Sequence, residues 1–275
     1  MYRPARLVTT KVDYTTPQMV KTSVFWLTYA LFVAVAAGFW YFVLRSPRTQ
    51  VNLAQALRQY RQDQKTGGAR NMGLPSSGVY RYRTSGSEHL SIGDISRSFP
   101  AASNMIVTDG AGCATMKWDP LEQHMEGLVE CSNENGTLGI KAVVSYEQIA
   151  GTQTTSVIDC PAGTYFVPPH PSIGERWRTT CHSPGETVVF SGQVLGKSFV
   201  NVGGGAVPAL RTRLTLSFSG SQSGTNPNTY WISLQNGLIL RQLETVDVSE
   251  ATGPLGAVHY TERMAIALDS VDPTR

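Results

Sequence analysis

The sequence predicts a mainly β protein, with one N-terminal transmembrane helix followed by an extracytoplasmic antiparallel β domain that forms a curved sheet or half-barrel. Two observations lead to this prediction: an uncharged stretch of 23 residues at 22–44, and short runs of alternating residues from position 78 onward. They divide the 275 residues into a cytoplasmic tail (1–21), a transmembrane helix (22–44), a juxtamembrane helix with a linker (45–77) and a β domain (78–275).

The uncharged stretch is long enough to cross a bilayer. A helix rises about 1.5 Å per residue, so this segment covers a hydrocarbon core of roughly 30 Å. A cleaved signal peptide would have a shorter apolar core and small residues at its end, whereas bulky residues and then Arg45 close this segment. Aromatic residues typical of membrane interfaces lie near both ends: Trp26, Tyr29, Trp40 and Tyr41. We therefore expect an uncleaved signal anchor.

Small residues recur at four-residue spacing along one face of this predicted helix, at Ala30, Ala34 and Gly38. Such a face lets a second helix approach closely, which favours a membrane-protein partner. Small residues are also common in membrane helices without a partner, so that interpretation stays open.

Charge and cysteine content predict the orientation. The net charge of +3 combines +3 over residues 1–44, +5 over residues 45–70 and −5 over the rest. Basic residues flank both ends of the span, so the positive-inside rule does not decide the topology. Stable disulfides need an oxidising compartment, and the four cysteines all lie in the β domain. We expect a single-pass protein of the cell membrane with a cytoplasmic N-terminus.

The β domain is acidic, so we do not expect this protein to bind nucleic acid.

The juxtamembrane segment is rich in helix-forming residues over 46–66. Leu53, Leu57 and Tyr60 fall on one stripe, and Gly67–Gly68 ends the pattern. This pattern predicts a helix followed by a linker that reaches the β domain near Gly78.

The β domain shows roughly eight to ten predicted strands. Gln235–Asn236–Gly237 predicts a tight hairpin turn, because Asn-Gly readily adopts positive φ angles. Gly203–Gly205 lies between two strands with no helix behind it, so it predicts a bend and not a phosphate loop. The clearest strand runs are Val79–Arg83, Asn104–Thr108, Lys141–Tyr146, Thr187–Val194, Ala206–Phe218, Thr229–Leu234, Leu238–Val248 and Ala257–Leu268.

Four cysteines allow three disulfide pairings. Cys113 and Cys131 flank a hairpin-sized unit, and Cys160 and Cys181 bracket a proline-rich loop, so the sequential pairs are favoured. A zinc site is the alternative use of these residues, but the spacing lacks a C-x₂-C element.

One acidic segment could carry chemistry. Glu122, His124, Glu126 and Glu130 share a face if residues 119–130 form a strand; a helix capped at Asp119–Pro120 is the alternative. A carboxylate–imidazole group could bind a metal or transfer protons, but an exposed acidic face gives the same pattern and is the favoured interpretation. No nucleophile motif is present, and we predict no enzyme activity, no cofactor and no metal.

A series of motifs resembles a family of uncharacterised, membrane-anchored secreted proteins of actinobacteria. This resemblance implies the architecture above and supports the sequential cysteine pairs, and it implies no particular activity. The matching segments are Gly78–Glu88, Phe99–Pro100, Gly112–Cys113, Lys117–Asp119, Glu130–Cys131, Cys160, Gly174–Trp177, Cys181, Trp231 and Gly237–Arg241.

The hairpin from Trp231 through Gly237–Arg241 also resembles one in lipoprotein-carrier and related envelope lipid-binding proteins. That resemblance implies an open, curved sheet with an apolar concavity for acyl chains. Trp177 and Trp231 would line such a lipid cavity.

Two functions follow from these features. The first is a non-enzymatic accessory or interaction subunit of a cell-envelope membrane complex, predicted from the small-residue helix face and the basic connector. The alternative is an envelope lipid- or lipoprotein-binding module with an apolar half-barrel cavity.

Overall fold

The structure, a computed structural model, describes residues 49–64, 73–110, 112–132, 138–149, 152–251 and 257–275. The predicted cytoplasmic tail, the predicted span at 22–44 and its residues Ala30, Ala34 and Gly38 lie outside this part. Within the described ranges, no helix combines the length and the apolar character needed to cross a membrane.

Fourteen strands and one helix of more than one turn make up the described part of the chain. The helix, α1, is Leu53–Asp63, and a 3₁₀ turn covers Ile92–Asp94. The strands are β1 (Gly78–Leu90), β2 (Ile95–Ser98), β3 (Ala102–Gly110), β4 (Cys113–Leu121), β5 (His124–Ser132), β6 (Leu138–Ile149), β7 (Thr152–Asp159), β8 (Tyr165–Val167), β9 (Arg176–Ser183), β10 (Glu186–Val202), β11 (Gly205–Gly220), β12 (Gln222–Ser233), β13 (Ile239–Ala251) and β14 (Ala257–Leu268).

The sheet closes on itself. Neighbouring strands are antiparallel, and twelve of them form a ring in the order β1, β3, β4, β5, β6, β7, β9, β10, β11, β12, β13, β14 and back to β1. The closing pairs run from Tyr82↔Leu268 to Leu90↔Tyr260. The predicted antiparallel β domain is confirmed, but the open half-barrel was wrong. The sheet is closed because β1 pairs along both of its edges, with β3 and β2 on one side and with β14 on the other.

The turns between strands follow the glycine pattern. Gly203 and Gly204, with φ of 58° and 84°, join β10 to β11, so the predicted bend is confirmed. Gly237, with a φ of 71°, lies between β12 and β13, where the tight turn was predicted. A residue with a side chain would be strained at these positive φ angles.

Both disulfides pair as favoured: Cys113 with Cys131 and Cys160 with Cys181. Cys113 and Cys131 face each other within the β4–β5 ladder. Cys160–Cys181 lies at the junction of β7 and β9, which we call the seam of the ring. These two strands share only the pair Asp159↔His182. The second disulfide therefore supplies a covalent link where the ladder is shortest.

Removing the seam disulfide should cost more stability than removing the other. The two sequence separations, 18 and 21 residues, are alike, so loop-closure entropy contributes about 3 kcal/mol in each case. Cys160→Ala/Cys181→Ala additionally weakens the seam and empties space at Cys181, which is 0% exposed. Urea denaturation of this variant and of Cys113→Ala/Cys131→Ala checks the difference; equal losses would contradict the role assigned to the seam.

The predicted juxtamembrane helix forms and packs on the outside of the sheet. A capping box starts it, because Asn52 and Gln55 exchange side-chain-to-backbone hydrogen bonds of 2.9 and 3.0 Å. Ala56 and Tyr60 pack with Val79 of β1 and Ile106 of β3. Leu53 of the predicted stripe stays 38% exposed. The helix is therefore part of the folded body and not only a connector to it.

The interior of the ring contains two apolar clusters. The larger includes Tyr82, Met105, Phe190, Leu214 and Ile266. The smaller consists of Leu90, Val246, Val248 and Tyr260. Inward positions between the two clusters are polar on β1, β13 and β14.

Candidate functional site

A polar layer crosses the interior between the two apolar clusters. On β1 it contains Glu88, two residues before Leu90, and on β14 it contains Glu262, between Tyr260 and Met264. On β13, Gln242 and Glu244 precede Val246. Alternate residues of a strand share a face, so these polar side chains point into the ring with their apolar neighbours. All four are buried.

The segment 119–130 contributes to this layer as strand and not as helix. Strands β4 and β5 form a hairpin that turns at Glu122–Gln123. His124 is 2% exposed and Glu130 is 0% exposed, so the favoured exposed acidic face was wrong. The predicted group, Glu122, His124, Glu126 and Glu130, lies on one side of the chain, as expected for a strand. This side faces the closed interior, except at Glu122 in the turn, which is exposed.

Glu88 lies at the centre of the layer and has three partners. Its Oε2 is 3.0 Å from His124 Nδ1 and accepts a 2.9 Å hydrogen bond from Tyr260. Its Oε1 lies 2.6 Å from Nε of Arg97, which is directly opposite on β2. The Arg97 guanidinium also donates a 3.3 Å hydrogen bond to the backbone of Gln148. The side chains of Glu88 and Arg97 are only 0% and 7% exposed, so their ion pair is shielded from water.

Tyr260 links Glu88 to Glu262. Its hydroxyl lies 2.9 Å from Glu88 and 2.5 Å from Glu262. A tyrosine hydroxyl has one proton, so one of these two contacts requires a proton from the carboxyl group. Burial raises the pKa of Glu262 well above its usual value, which makes Glu262 the carboxyl that keeps its proton.

The other ring nitrogen of His124 faces two further carboxyl groups. Nε2 is 3.6 Å from Glu126 Oε1 and 4.0 Å from Glu262 Oε2, and no described residue makes a hydrogen bond to it. Edge-to-face contacts with Phe99 and Trp118, at centroid distances of 5.5 and 5.7 Å, fix the plane of the ring.

The charges of this group stabilise each other. Burial lowers the pKa of His124, but the carboxyl groups of Glu262, Glu126 and Glu88 outweigh it and raise that pKa well above its usual value. Burial raises the pKa of Glu88, but His124 and Arg97 outweigh it and lower that pKa. The centre of the layer is therefore an imidazolium and a guanidinium on either side of an ionised carboxylate.

An amide cluster continues the layer on β12 and β13. Glu244 accepts hydrogen bonds of 2.7 Å from Asn226 and Gln242 and of 3.4 Å from Asn228. Burial raises the pKa of Glu244 to about 8, so this carboxyl group is largely protonated at neutral pH.

A cavity of about 220 Å³ lies against the polar layer inside the ring. Its apolar walls include Met105, Val143, Phe190, Leu214, Leu216 and Ile239. Its polar walls include Glu126, Ser145, Ser156, Asn228, Gln242 and Glu244. One space thus offers both an apolar surface and convergent hydrogen-bonding groups, which is the usual make-up of a small-molecule site.

Neither tryptophan predicted to line a lipid cavity lies in the cavity wall. Trp177 faces inward, but its ring covers Gly192 and its Nε1 donates a 2.9 Å hydrogen bond to the Tyr165 carbonyl. Trp231 lies at an outward-facing position of β12. The guanidinium groups of Arg211 and Arg241 are 5.8 and 4.7 Å from the centre of its ring. A space-filling role for Trp177 and cation–π packing for Trp231 account for these two side chains.

Five residues of the polar layer were not predicted from the sequence: Glu88, Arg97, Glu244, Tyr260 and Glu262. A signal was present, because Glu88, Glu244 and Glu262 each share their parity with a neighbouring apolar residue of the same strand, namely Leu90, Val246 and Met264. A lone acidic residue at an apolar position of a long strand indicates a buried polar group.

No protein-family model and no curated protein matches the sequence, whereas four chains of solved structure do. One is the hypothetical lipoprotein YmcC from Escherichia coli K12, at 11% identity over 78% of this chain and 97% of that chain, with a TM-score of 0.31. Another is a putative lipoprotein from Parabacteroides distasonis, at 9% identity over 74% of this chain and 99% of that chain, with a TM-score of 0.30. Similarity at this level assigns no family, and the resemblance to an actinobacterial family stays a prediction.

Proposed function

We propose that this chain is a cell-envelope binding module that holds one amphipathic ligand of the lipid class inside its closed sheet. The observation that carries the proposal is the interior cavity of about 220 Å³ between apolar walls and the polar layer. The module binds its ligand and does not convert it.

The size of the cavity limits the ligand. An apolar cavity of about 150 Å³ accepts benzene, and typical small-molecule sites measure about 300–1,000 Å³. The present cavity, at about 220 Å³, therefore accepts a short amphiphile or the end of one acyl chain.

The walls favour a ligand with two chemical halves. Met105, Phe190 and Leu216 supply apolar contact, worth about 25 cal/mol per Å² of ligand surface removed from water. Gln242 and Asn228 supply amide groups on the polar side, next to Glu244. A hydrocarbon chain that ends in a hydrogen-bonding group satisfies both halves.

The accessory-subunit function rests on features outside the described residues, namely the predicted span and its face of Ala30, Ala34 and Gly38. It stays a prediction, as do the single-pass topology and the membrane-protein partner. A membrane anchor would be compatible with the binding module, because it would hold the cavity near a source of acyl chains.

Photo-crosslinking of the full chain with a diazirine-bearing fatty acid tests the proposal. We expect peptide mass spectrometry to locate adducts on inward residues such as Val143 and Leu216. Ser156→Trp places an indole in the cavity and should lower adduct formation by about tenfold, a loss of roughly 1.4 kcal/mol in binding.

Val157→Trp is the matched control. Val157 is the next residue of β7 and is 42% exposed on the outer face, so this variant adds the same side chain without entering the cavity. Adducts confined to outward residues, or equal labelling of the Ser156→Trp variant and the native chain, would contradict the proposal.

A further inference from the structure

The Nε2 atom of His124 is a buried polar atom without a hydrogen bond from any described residue. The ring is 2% exposed, so water does not readily reach this atom. Its other nitrogen is engaged, because Nδ1 lies 3.0 Å from Glu88, which Arg97 holds in place. Buried polar atoms are almost always paired, so an unpaired ring nitrogen points to a missing partner.

Two carboxyl groups face the same atom at distances that suit a shared metal ion. Nε2 is 3.6 Å from Glu126 Oε1 and 4.0 Å from Glu262 Oε2. Ligand bonds to zinc measure about 2.0–2.2 Å, which places tetrahedral donors about 3.4 Å from one another. Movements of about half an ångström would bring Glu126 Oε1 and Glu262 Oε2 to that distance from Nε2.

Two further observations support the arrangement. Oε1 of Glu262 is also buried without a hydrogen bond from a described residue. Donor atoms of His124 and Glu262 lie within 4.8 Å of each other and of Glu88, and Glu126 lies outside this close group. The Glu126 side chain is 28% exposed, so it retains the freedom to move toward an ion.

Glu88 occupies the position of an orienting group and not of a ligand. Metal-binding histidines usually direct their second ring nitrogen to a carboxylate or a carbonyl, which fixes the ring and increases its basicity. Glu88 makes this contact with Nδ1, and its own charge is balanced by Arg97 at 2.6 Å.

We propose that His124 Nε2, Glu126 and Glu262 bind one first-row divalent cation, with Glu88 as the positioning residue. Metal binding would release the protons that His124 and Glu262 hold without the ion. The two carboxylates and the neutral imidazole then leave two negative charges, which one divalent ion balances. The donor set of nitrogen and oxygen without sulfur suits Zn²⁺ and its neighbours in the first row. This site does not depend on the proposed lipid ligand.

Metal titration of the full chain in detergent, after removal of metal with a chelator, tests the proposal. We expect calorimetry to show one Zn²⁺ per chain, and Co²⁺ to give visible absorption bands from the same site. His124→Gln should abolish both signals. Glu88→Gln should keep the stoichiometry and weaken the affinity by about 10–100-fold, since it removes only the orienting contact.

Two further variants keep the test decisive if His124→Gln fails to fold. Glu126→Gln alters the partly exposed ligand and should weaken Zn²⁺ binding by at least about tenfold, or roughly 1.4 kcal/mol. His259→Gln is the control, because His259 is an exposed histidine paired with Asp247 at 2.8 Å and should leave binding unchanged. Absence of Zn²⁺ binding, or equal binding by the Glu126→Gln variant and the native chain, would overturn the proposal, whatever the crosslinking experiment shows.

Discussion

Replacing Glu130 by glutamine is expected to stabilise the protein at pH 8 and to leave its stability nearly unchanged at pH 4.5. Glu130 is 0% exposed, and neither carboxyl oxygen has a hydrogen-bond partner among the described residues. Burial raises its pKa from 4.5 to about 8. The side chain lies beside Leu138 and Gly237, in surroundings that favour the neutral acid.

The sign follows from comparing the folded and unfolded chains. Below pH 4.5 both the folded and the unfolded chain hold the proton on Glu130, so its ionisation does not change the free energy of unfolding there. Between pH 4.5 and about 8 only the unfolded chain releases it, so the free energy of unfolding falls as the pH rises. At roughly 1.4 kcal/mol per pH unit, the loss reaches at most about 5 kcal/mol. Glutamine cannot ionise and should remove this slope.

Urea denaturation of the native chain and of Glu130→Gln, at several values between pH 4.5 and pH 8.5, measures this difference. Glu175→Gln is a suitable control. The Glu175 carboxyl group belongs to the loop before β9 and accepts an exposed hydrogen bond from the backbone N–H of Ser172. Parallel pH curves for the native chain and the Glu130→Gln variant would show that Glu130 is not a buried acid.

Arg97→Met should destabilise the fold by about 3–5 kcal/mol. It leaves Glu88 as a buried carboxylate without its guanidinium, and removing one partner of a buried ion pair costs about this much. Adding Glu88→Gln should recover part of the loss, because the uncompensated charge disappears with it. Thermal denaturation in the presence of a chelator measures both variants without a contribution from metal.

Arg83→Met is the matched control for this experiment. Arg83 pairs with Asp269 at 3.1 Å, but its side chain is 69% exposed, so losing that pair should cost less than about 1 kcal/mol. A similar cost for Arg83→Met and Arg97→Met would contradict the description of Glu88 and Arg97 as a shielded pair.

Local features of the fold were predictable from the sequence because they depend on nearby residues. Alternation identified the long strands, and the glycines at 203, 204 and 237 identified the turns. The favoured disulfides were confirmed because each joins elements close in sequence. Helix α1 followed from its composition, but the face it buries, with Ala56 and Tyr60, depends on the sheet that it contacts.

Closure of the sheet and the polar layer were not predictable in the same way. The pair Leu90↔Tyr260 joins residues far apart in the chain, and no local pattern specifies such a partner. The alternation of side chains along a strand placed His124 and Glu126 on one face. It does not determine whether that face is exposed to solvent or buried in the interior. Only the closed ring brings Glu88 and Glu262 to His124.

Native mass spectrometry of the full chain released from detergent micelles is the decisive test of ligand binding inside the ring. We expect a population of the native chain that carries one bound amphiphile with an acyl chain. This population should be lost in the Ser156→Trp variant and retained in the Val157→Trp variant. A native chain that carries no bound amphiphile, or one that all three proteins carry equally, would contradict a ligand-binding cavity inside the closed sheet.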